Sequence, residues 1–445
     1  MRRSIQGTAI GNFMEWYDFG VYGYIATTIA QVFYPGNTVS AVHLIATFST
    51  LAAAFLVRPL GGFIFGPLGD RIGRKRVLVI TILLMTMGTT TTGLLPGYST
   101  IGIWAPILLV VARVFQGLST GGEYVGAMTY VVEQAPDRKR GMMVGFLPLG
   151  NLAGFVLAGL VVTGLQTWLS SRDMLTWGWR IPLLLSAPFG LIALYMRLRL
   201  EESPAYENTS GGADESGDRG RHQFRRTVVE QWKPLLICAA LVWTANAADF
   251  MLTGYLPTYL KVIARVGHTA ALVMITATLT ILMAVLVFVA KLSDRIGVKP
   301  IMWTGCGLLV AASTPAFLLI RSGESYAVIF IGVLLIGLME LCFDSTSPPA
   351  LPALFPTDVR YGALAIAYNV SISTVGGTSP LVAQALISST GDVMVPAYML
   401  IVAGLVGAVT LFFTPEVAGK RLPGSGPAVE TEEQARALAK EGFVD

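Results

Sequence analysis

Apolar runs of 18 or more residues recur along the whole 445-residue chain, at 9–33, 42–66, 77–96, 101–131, 141–167, 179–199, 234–260, 270–290, 300–320, 325–353, 361–388 and 394–414. Each is long enough to cross a hydrocarbon core of about 30 Å. In lipid such a run has to be helical, because a helix satisfies its own backbone polar groups where no water can. The expected fold is therefore an all-α membrane protein of twelve transmembrane helices, numbered here as spans 1 to 12. Charged residues make up only 13% of the chain and mean hydropathy is +0.64, about half the charge of a soluble domain. Spans 2, 4 and 10 are longer than a straight crossing needs, which suits tilted or kinked helices.

Basic residues set the orientation. The N-terminus, the 2–3, 4–5, 6–7, 8–9 and 10–11 loops and the C-tail hold 24 of the 31 Lys and Arg. The opposite loops hold Arg172, Arg180, Lys261, Arg265 and Arg321, while Arg58 and Arg113 lie inside spans. Such a bias places both termini in the cytoplasm of a cell (plasma or inner) membrane. It also accounts for the net charge of +4 without nucleic-acid binding. No cleavable leader precedes span 1, since polar and charged residues continue to Asp18 with no small-residue cleavage site. Cys238, Cys306 and Cys342 fall within spans at no metal-like spacing and read as small apolar fillers, so no metal or cofactor is expected.

The chain also repeats itself. Gly66-Pro-Leu-Gly-Asp70-Arg71-Ile-Gly73-Arg74-Lys75-Arg76 joins spans 2 and 3, and a shortened copy with Asp294 and Arg295 joins spans 8 and 9, 224 residues on. Pro136-xxx-Arg140 after span 4 is echoed by Pro356-xxx-Arg360 after span 10. Two repeats at similar offsets, 224 and 220 residues, indicate two six-helix bundles, at 1–200 and 233–415. Residues 201–232 form a polar linker too poor in apolar residues to fold alone, and 416–445 a cytoplasmic tail. Transporters built this way bind substrate between their halves.

Ionisable groups inside spans are costly unless they face a partner or a cavity. Glu15 and Asp18 stand one turn apart in span 1, with Tyr22 continuing the same face. Span 4 carries Arg113, Gly117, Gly121 and Glu123. Arg113 facing the span 1 carboxylates across the bundle would offset the cost of burying all three. A carboxylate so placed is poised between desolvation and a neighbouring guanidinium, so substrate or water can tip its protonation. Asp18 and Arg113, with Glu15 and Glu123, are thus candidates for proton coupling. A fixed structural ion pair is the alternative, and for Glu15 a wetted helix-terminal charge. In the second half Asn246 and Asp249 of span 7 and Glu340 and Asp344 of span 10 form an acidic face that would attract a cation, a quaternary amine or a proton, unless they sit at the water boundary. Trp16 and Tyr22 are candidate substrate contacts, since aromatic faces suit alkylated ammonium groups, although interfacial belts use the same residues. Arg58, before Pro59 in span 2, either contacts substrate or anchors the bundle.

The loop residues Gly66, Asp70, Arg71, Gly73 and Arg74, with Asp294, Arg295, Arg140 and Arg360, are candidates for a gate. A cytoplasmic carboxylate there can cap a helix N-terminus of the opposite half in one state and release it in the other. Glu133, at the end of span 4, falls in the same region.

The Gly66–Arg76 loop resembles the signature loop of the major facilitator superfamily, and Arg113-xxx-Gly117-xxx-Gly121 resembles its span 4 motif. Gly11-Asn-Phe-Met-Glu15-Trp-Tyr-Asp18-Phe-Gly-Val-Tyr-Gly23, Phe55-Leu-Val-Arg58-Pro-Leu-Gly-Gly62, Gln116-Gly-Leu-Ser-Thr-Gly-Gly-Glu123-Tyr, Trp177-Gly-Trp-Arg180-Ile-Pro182 and Ala353-Leu-Phe-Pro356 resemble the metabolite:proton symporter family, and together its proline/betaine transporter branch. The likeness runs over residues 7–415. It implies a proton symporter whose halves rock about a central cavity, with Asp18 and Arg113 where related sugar symporters place a proton-coupling pair. The tail lacks the coiled coil of osmosensing members, which counts against osmotic activation. Asp249, Glu340 and Asp344 replace uncharged residues of the betaine transporters, which favours a more cationic substrate.

The expected function is therefore proton-coupled import of a small zwitterionic or cationic metabolite, proline- or betaine-like, across the bilayer. The alternative is proton-coupled uptake of a mono-, di- or tricarboxylate such as 2-oxoglutarate or citrate. An enzyme is not expected, because His43, His222 and His268 are scattered and no nucleophile or metal set accompanies them.

Overall fold

The computed structural model describes residues 2–35, 40–72, 74–121, 123–198, 226–323, 325–357 and 359–424. All twelve spans are helical. Ten are long and apolar enough to cross a membrane by length and composition alone. The other two are span 1, Arg2–Tyr24 continued by Ala26–Phe33, which carries the buried charges, and span 3, Arg74–Leu94, with its apolar stretch Val79–Leu94. Leu56, Phe63, Phe115, Phe288, Phe412 and Phe413 are exposed, as expected of a helical bundle whose outer surface meets acyl chains.

The long spans break where their sequences weaken the helix. Span 2 is Ala41–Leu56 and Arg58–Ile72, interrupted at Val57 just before Pro59. Span 4 is Trp104–Ser119 and Glu123–Gln134, interrupted at Thr120 before the Gly121-Gly122 pair. Span 10 runs Tyr326–Asp344 and resumes at Ser347–Ala350 over two prolines. Spans 7 and 11 each contain a wide π-type turn, Met251–Tyr255 and Ile372–Gly376, a geometry frequent at functional sites. The two turns adjoin, since a Cβ on Gly376 would meet the Phe250 ring and one on Gly254 would touch Pro380.

Small residues let spans 2 and 4 meet backbone to backbone. A Cβ on Gly117 would overlap the Ala54 carbonyl, and one on Gly61 the Leu118 carbonyl. This is the close approach that glycine repeats provide where lipid gives helices no hydrophobic drive to associate. It also brings Arg58 and Arg113 into the interior together.

The halves meet through spans 1 and 7, 2 and 11, and 5 and 8. On the face away from the termini, Lys261 donates to Thr27 Oγ1 at 2.9 Å, and the Phe48 and Tyr255 rings lie 5.8 Å apart. The linker lies outside the described residues up to 225. Residues 226–230, expected within that linker, are already helical and lead into span 7 at Trp232. The tail beyond 424 also lies outside the described residues.

Candidate functional site

Between the halves lies a narrow cavity of about 40 Å³, room for no more than a few water molecules. The first half contributes Trp16, Tyr124, Met128 and Asn151 from spans 1, 4 and 5. The second contributes Asn246, Asp249, Asp344 and Tyr368 from spans 7, 10 and 11, with the span 10 break at Ser347 and Pro348. Trp16 is fixed by its indole N–H, which donates to Asn12 Oδ1 at 3.2 Å, and by Phe155 and Phe250 at 5.4 and 6.1 Å. Asn12 in turn donates to Asn151 on the wall. Asn246 donates to the Val242 carbonyl at 2.8 Å, which leaves its amide oxygen available.

Behind the wall of the first half lie two buried ion pairs. Arg113 Nη1 donates to Asp18 Oδ2 at 3.3 Å and to Gln116 Oε1, and its guanidinium sits 4.1 Å from the Tyr22 ring centroid. Arg58 pairs with Glu15 and stacks 5.0 Å from the Phe55 ring centroid. Glu15, Asp18, Arg58 and Arg113 are each at most 2% exposed. Glu15 is therefore no wetted terminal charge, and its partner is Arg58 rather than Arg113. Arg58, the first residue of the second helix of span 2, faces the interior and meets it. Arg58 and Tyr22, expected beside a ligand, do not line the cavity: Arg58 is held by Glu15, and the Tyr22 hydroxyl donates to the Thr47 carbonyl at 3.1 Å. Both pairs are incompletely satisfied, with Asp18 Oδ1, Glu15 Oε2, Arg113 Nε and Nη2, and Arg58 Nε and Nη1 buried without partners. Thr89 of span 3 lies beside Asp18.

In the second half Asp249 reaches the cavity while its Oδ1 accepts from Thr253 Oγ1 at 3.3 Å. Asp344 faces the same space one turn beyond Glu340, which is buried behind Asp249.

A separate polar layer lies at the face that carries the termini. Asp294, at the end of span 8, accepts from the Gly141 and Met142 amides at 2.7 and 2.9 Å. It thereby caps the N-terminus of span 5 in the other half. A Cβ on Gly141 would meet Asp294 Oδ1 and Ser293 Oγ at 2.7 and 2.6 Å, so glycine is needed for this approach. Arg360 Nη1 donates to Glu133 Oε1 of the first half at 2.7 Å, and its Nε to the Pro352 and Phe355 carbonyls at 3.2 Å. Asn369 donates to the Gly121 carbonyl across the same interface.

The tail residues 416–424 cross this layer as a strap. Glu416 accepts from the Val298 and Lys299 amides, both at 3.0 Å, and caps span 9. Lys420 O accepts from Arg140 Nη1, and Pro423 O from Arg360 Nη2, each at 2.9 Å. Burial pushes the Glu416 carboxyl up, but four backbone amides outweigh it and hold the group below its ordinary range. Arg140 also pairs with Asp137, and Arg295 is exposed. Gly66 lies on the second helix of span 2. Gly73 and the side chains of Asp70, Arg71, Arg74 and Glu123 lie outside the described residues.

Sequence reasoning missed Tyr124, Met128, Asn151 and Tyr368 on the wall. Asn151 and Asn369 were findable as lone amides within apolar spans, and Tyr124 as the residue after Gly121-Gly-Glu123.

The sequence model of the family described as "Sugar (and other) transporter" matches this chain twice, over residues 5–226 and 213–424. The "Proline/betaine transporter" of Escherichia coli (strain K12) is 40% identical over 448 residues, covering all of this chain and 89% of that protein. The "Glycine betaine/proline/ectoine/pipecolic acid transporter OusA" of Dickeya dadantii (strain 3937) is 41% identical over 446 residues, covering 99% of this chain and 88% of its own length. The solved "proton:xylose symporter XylE bound to 6-bromo-6-deoxy-D-glucose" superposes with a TM-score of 0.74 at 17% identity, over 94% of this chain and 96% of that one, a likeness of fold. With its twelve spans and central cavity, the chain is a multi-pass membrane transporter of small solutes and no enzyme; it belongs to the sugar (and other) transporter family of the major facilitator superfamily, alongside the proline/betaine transporters.

Proposed function

We propose that the protein is a proton-coupled symporter that imports a small zwitterionic or cationic metabolite by alternating access, with both termini in the cytoplasm. The observation that carries this reading is the Asp18–Arg113 pair. It is buried, it touches the cavity wall through span 1, and one Asp18 oxygen and two Arg113 nitrogens lack partners. A buried carboxylate held by Arg113 at 3.3 Å, with Thr89 beside it, can accept a proton when Arg113 or its surroundings shift. Substrate at Trp16, one helical turn from Asn12 and two residues from Asp18, sits close enough to bias that exchange.

Access is gated at the termini face by Asp294 capping span 5, by Arg360 paired with Glu133, and by Arg140 held to the strap. Asp70, Arg71, Gly73 and Arg74 are assigned the matching role in the first half by their repeat. Two relatives bear names with betaine and proline in them, which favours that solute class over carboxylates. The test is uptake into proteoliposomes under an imposed pH gradient, run with betaine, proline, citrate, 2-oxoglutarate and choline. Asp18→Asn is expected to abolish gradient-driven accumulation while leaving exchange of internal for external solute. Accumulation at the wild-type level by that variant refutes the assignment.

A further inference from the structure

Every charged side chain on the cavity wall is acidic. Asp249 and Asp344 reach it, and among the described residues no Arg, Lys or His lines the cavity. Behind them Glu340 is 2% exposed and lies beside Asp249, with Oε2 buried and without a donor. The Tyr24 hydroxyl, in electrostatic reach of both Asp249 and Glu340, is likewise buried and unpartnered. Buried polar groups in native proteins are nearly always satisfied, so two unsatisfied ones converging on one carboxylate mark a cluster that something else completes.

The rest of the wall is aromatic. Trp16, Tyr124 and Tyr368 border the same space, the two tyrosine rings 5.4 Å apart, and such faces attract alkylated ammonium groups. The guanidinium groups that could receive a substrate carboxylate are engaged elsewhere. Arg113 holds Asp18, and Arg58, which lies in electrostatic reach of Tyr368, is bound to Glu15 off the wall.

We infer that the ligand of this cavity is an organic cation carrying an alkylated ammonium and no carboxylate, held by Asp249 and Asp344 within the wall of Trp16, Tyr124 and Tyr368. This rests on the transport reading only in taking the cavity, widened as the halves part, as the substrate site, and it narrows the solute class beyond the names of the relatives. A zwitterion would bring its carboxylate among like charges with no cation on the wall to receive it, which weakens binding by about tenfold or more.

The experiment is binding of radiolabelled choline to the purified full-length protein in detergent, with no gradient present, and its displacement by glycine betaine and proline. Betaine shares the trimethylammonium head of choline and adds a carboxylate, so the pair isolates that group. Choline is expected to bind at least tenfold more tightly than betaine or proline. Asp344→Asn and Asp249→Asn should each weaken choline by at least tenfold, and Asp344→Glu should restore part of the loss. Betaine or proline binding as tightly as choline to the wild type overturns the inference, as does the absence of choline binding to monodisperse wild-type protein. A folded Asp344→Asn variant with unchanged choline affinity overturns it too. Because binding needs no gradient, a failure here is separate from a failure of the Asp18→Asn uptake test.

Discussion

The Asp294 cap joins the two halves through two backbone amides, and its removal has a calculable effect on the access equilibrium. Asp294→Asn keeps one acceptor oxygen but loses the second charge-assisted hydrogen bond and the negative charge at the span 5 N-terminus. With bonds of 2.7 and 2.9 Å to Gly141 and Met142, loss of a helix cap with its charge costs about 1–2 kcal/mol. All of that loss falls on the state in which the termini face is closed, because the contact spans the two halves. An energy difference of that size shifts a two-state equilibrium by roughly 5- to 30-fold. The assay is labelling of Met128→Cys, on the cavity wall, by a membrane-impermeant maleimide from the termini face, in a background with Cys238, Cys306 and Cys342 replaced. Asp294→Asn should raise the labelling rate several-fold and leave gradient-free ligand affinity within about twofold. An unchanged rate in a monodisperse variant would refute the claim that this carboxylate holds the gate.

Arg360→Ala removes donors to Glu133, Pro352, Phe355 and Pro423 at once. With Glu133 partly exposed and able to regain water, the loss is on the order of 2–3 kcal/mol, seen as a lower thermal midpoint in detergent. Arg360→Lys should not restore it, since one ammonium cannot serve carbonyls on several sides. Glu416 makes the strap pH-sensitive. Its folded carboxyl lies below the ordinary range, so the cap contributes above the unfolded carboxylate pKa of about 4.3 and is lost as pH falls through the lower folded value. An acid-stable protease should therefore cut wild-type protein between residues 416 and 424 only under acid conditions, whereas Glu416→Gln should be cut equally at every pH; identical profiles for the two would refute the capping role.

The spans were legible because lipid enforces a length and a composition that few other environments demand. The Asp18–Arg113 contact was legible for a related reason, since burying either group alone is costly. The partner of Glu15 was not, because cost arguments count charges without saying which helix turns which way. That depended on which way Arg58 faces across the spans 2 and 4 contact, which the sequence does not display. The neutral wall residues left little trace, as Tyr124 and Tyr368 resemble the aromatics that populate any span. The strap escaped notice because Pro415 and Glu416 follow an apolar run and read as the start of a solvated tail. Its carbonyl acceptors at 420 and 423 are backbone groups, which no side-chain pattern advertises.

The two ends of this transporter are fastened by different means. Where the chain begins and ends, the halves are pinned by directional bonds to carboxylates, amides and carbonyls, which hold or let go as units. At the opposite end, the widened turns at Met251–Tyr255 and Ile372–Gly376 lie side by side in the second half. There the helical ladder is locally loosened, and aromatic rings supply most of the contact with the first half beside the single Lys261–Thr27 hydrogen bond. Opening toward one side of the membrane would then resemble unlatching, and toward the other a flexing of two adjacent rods.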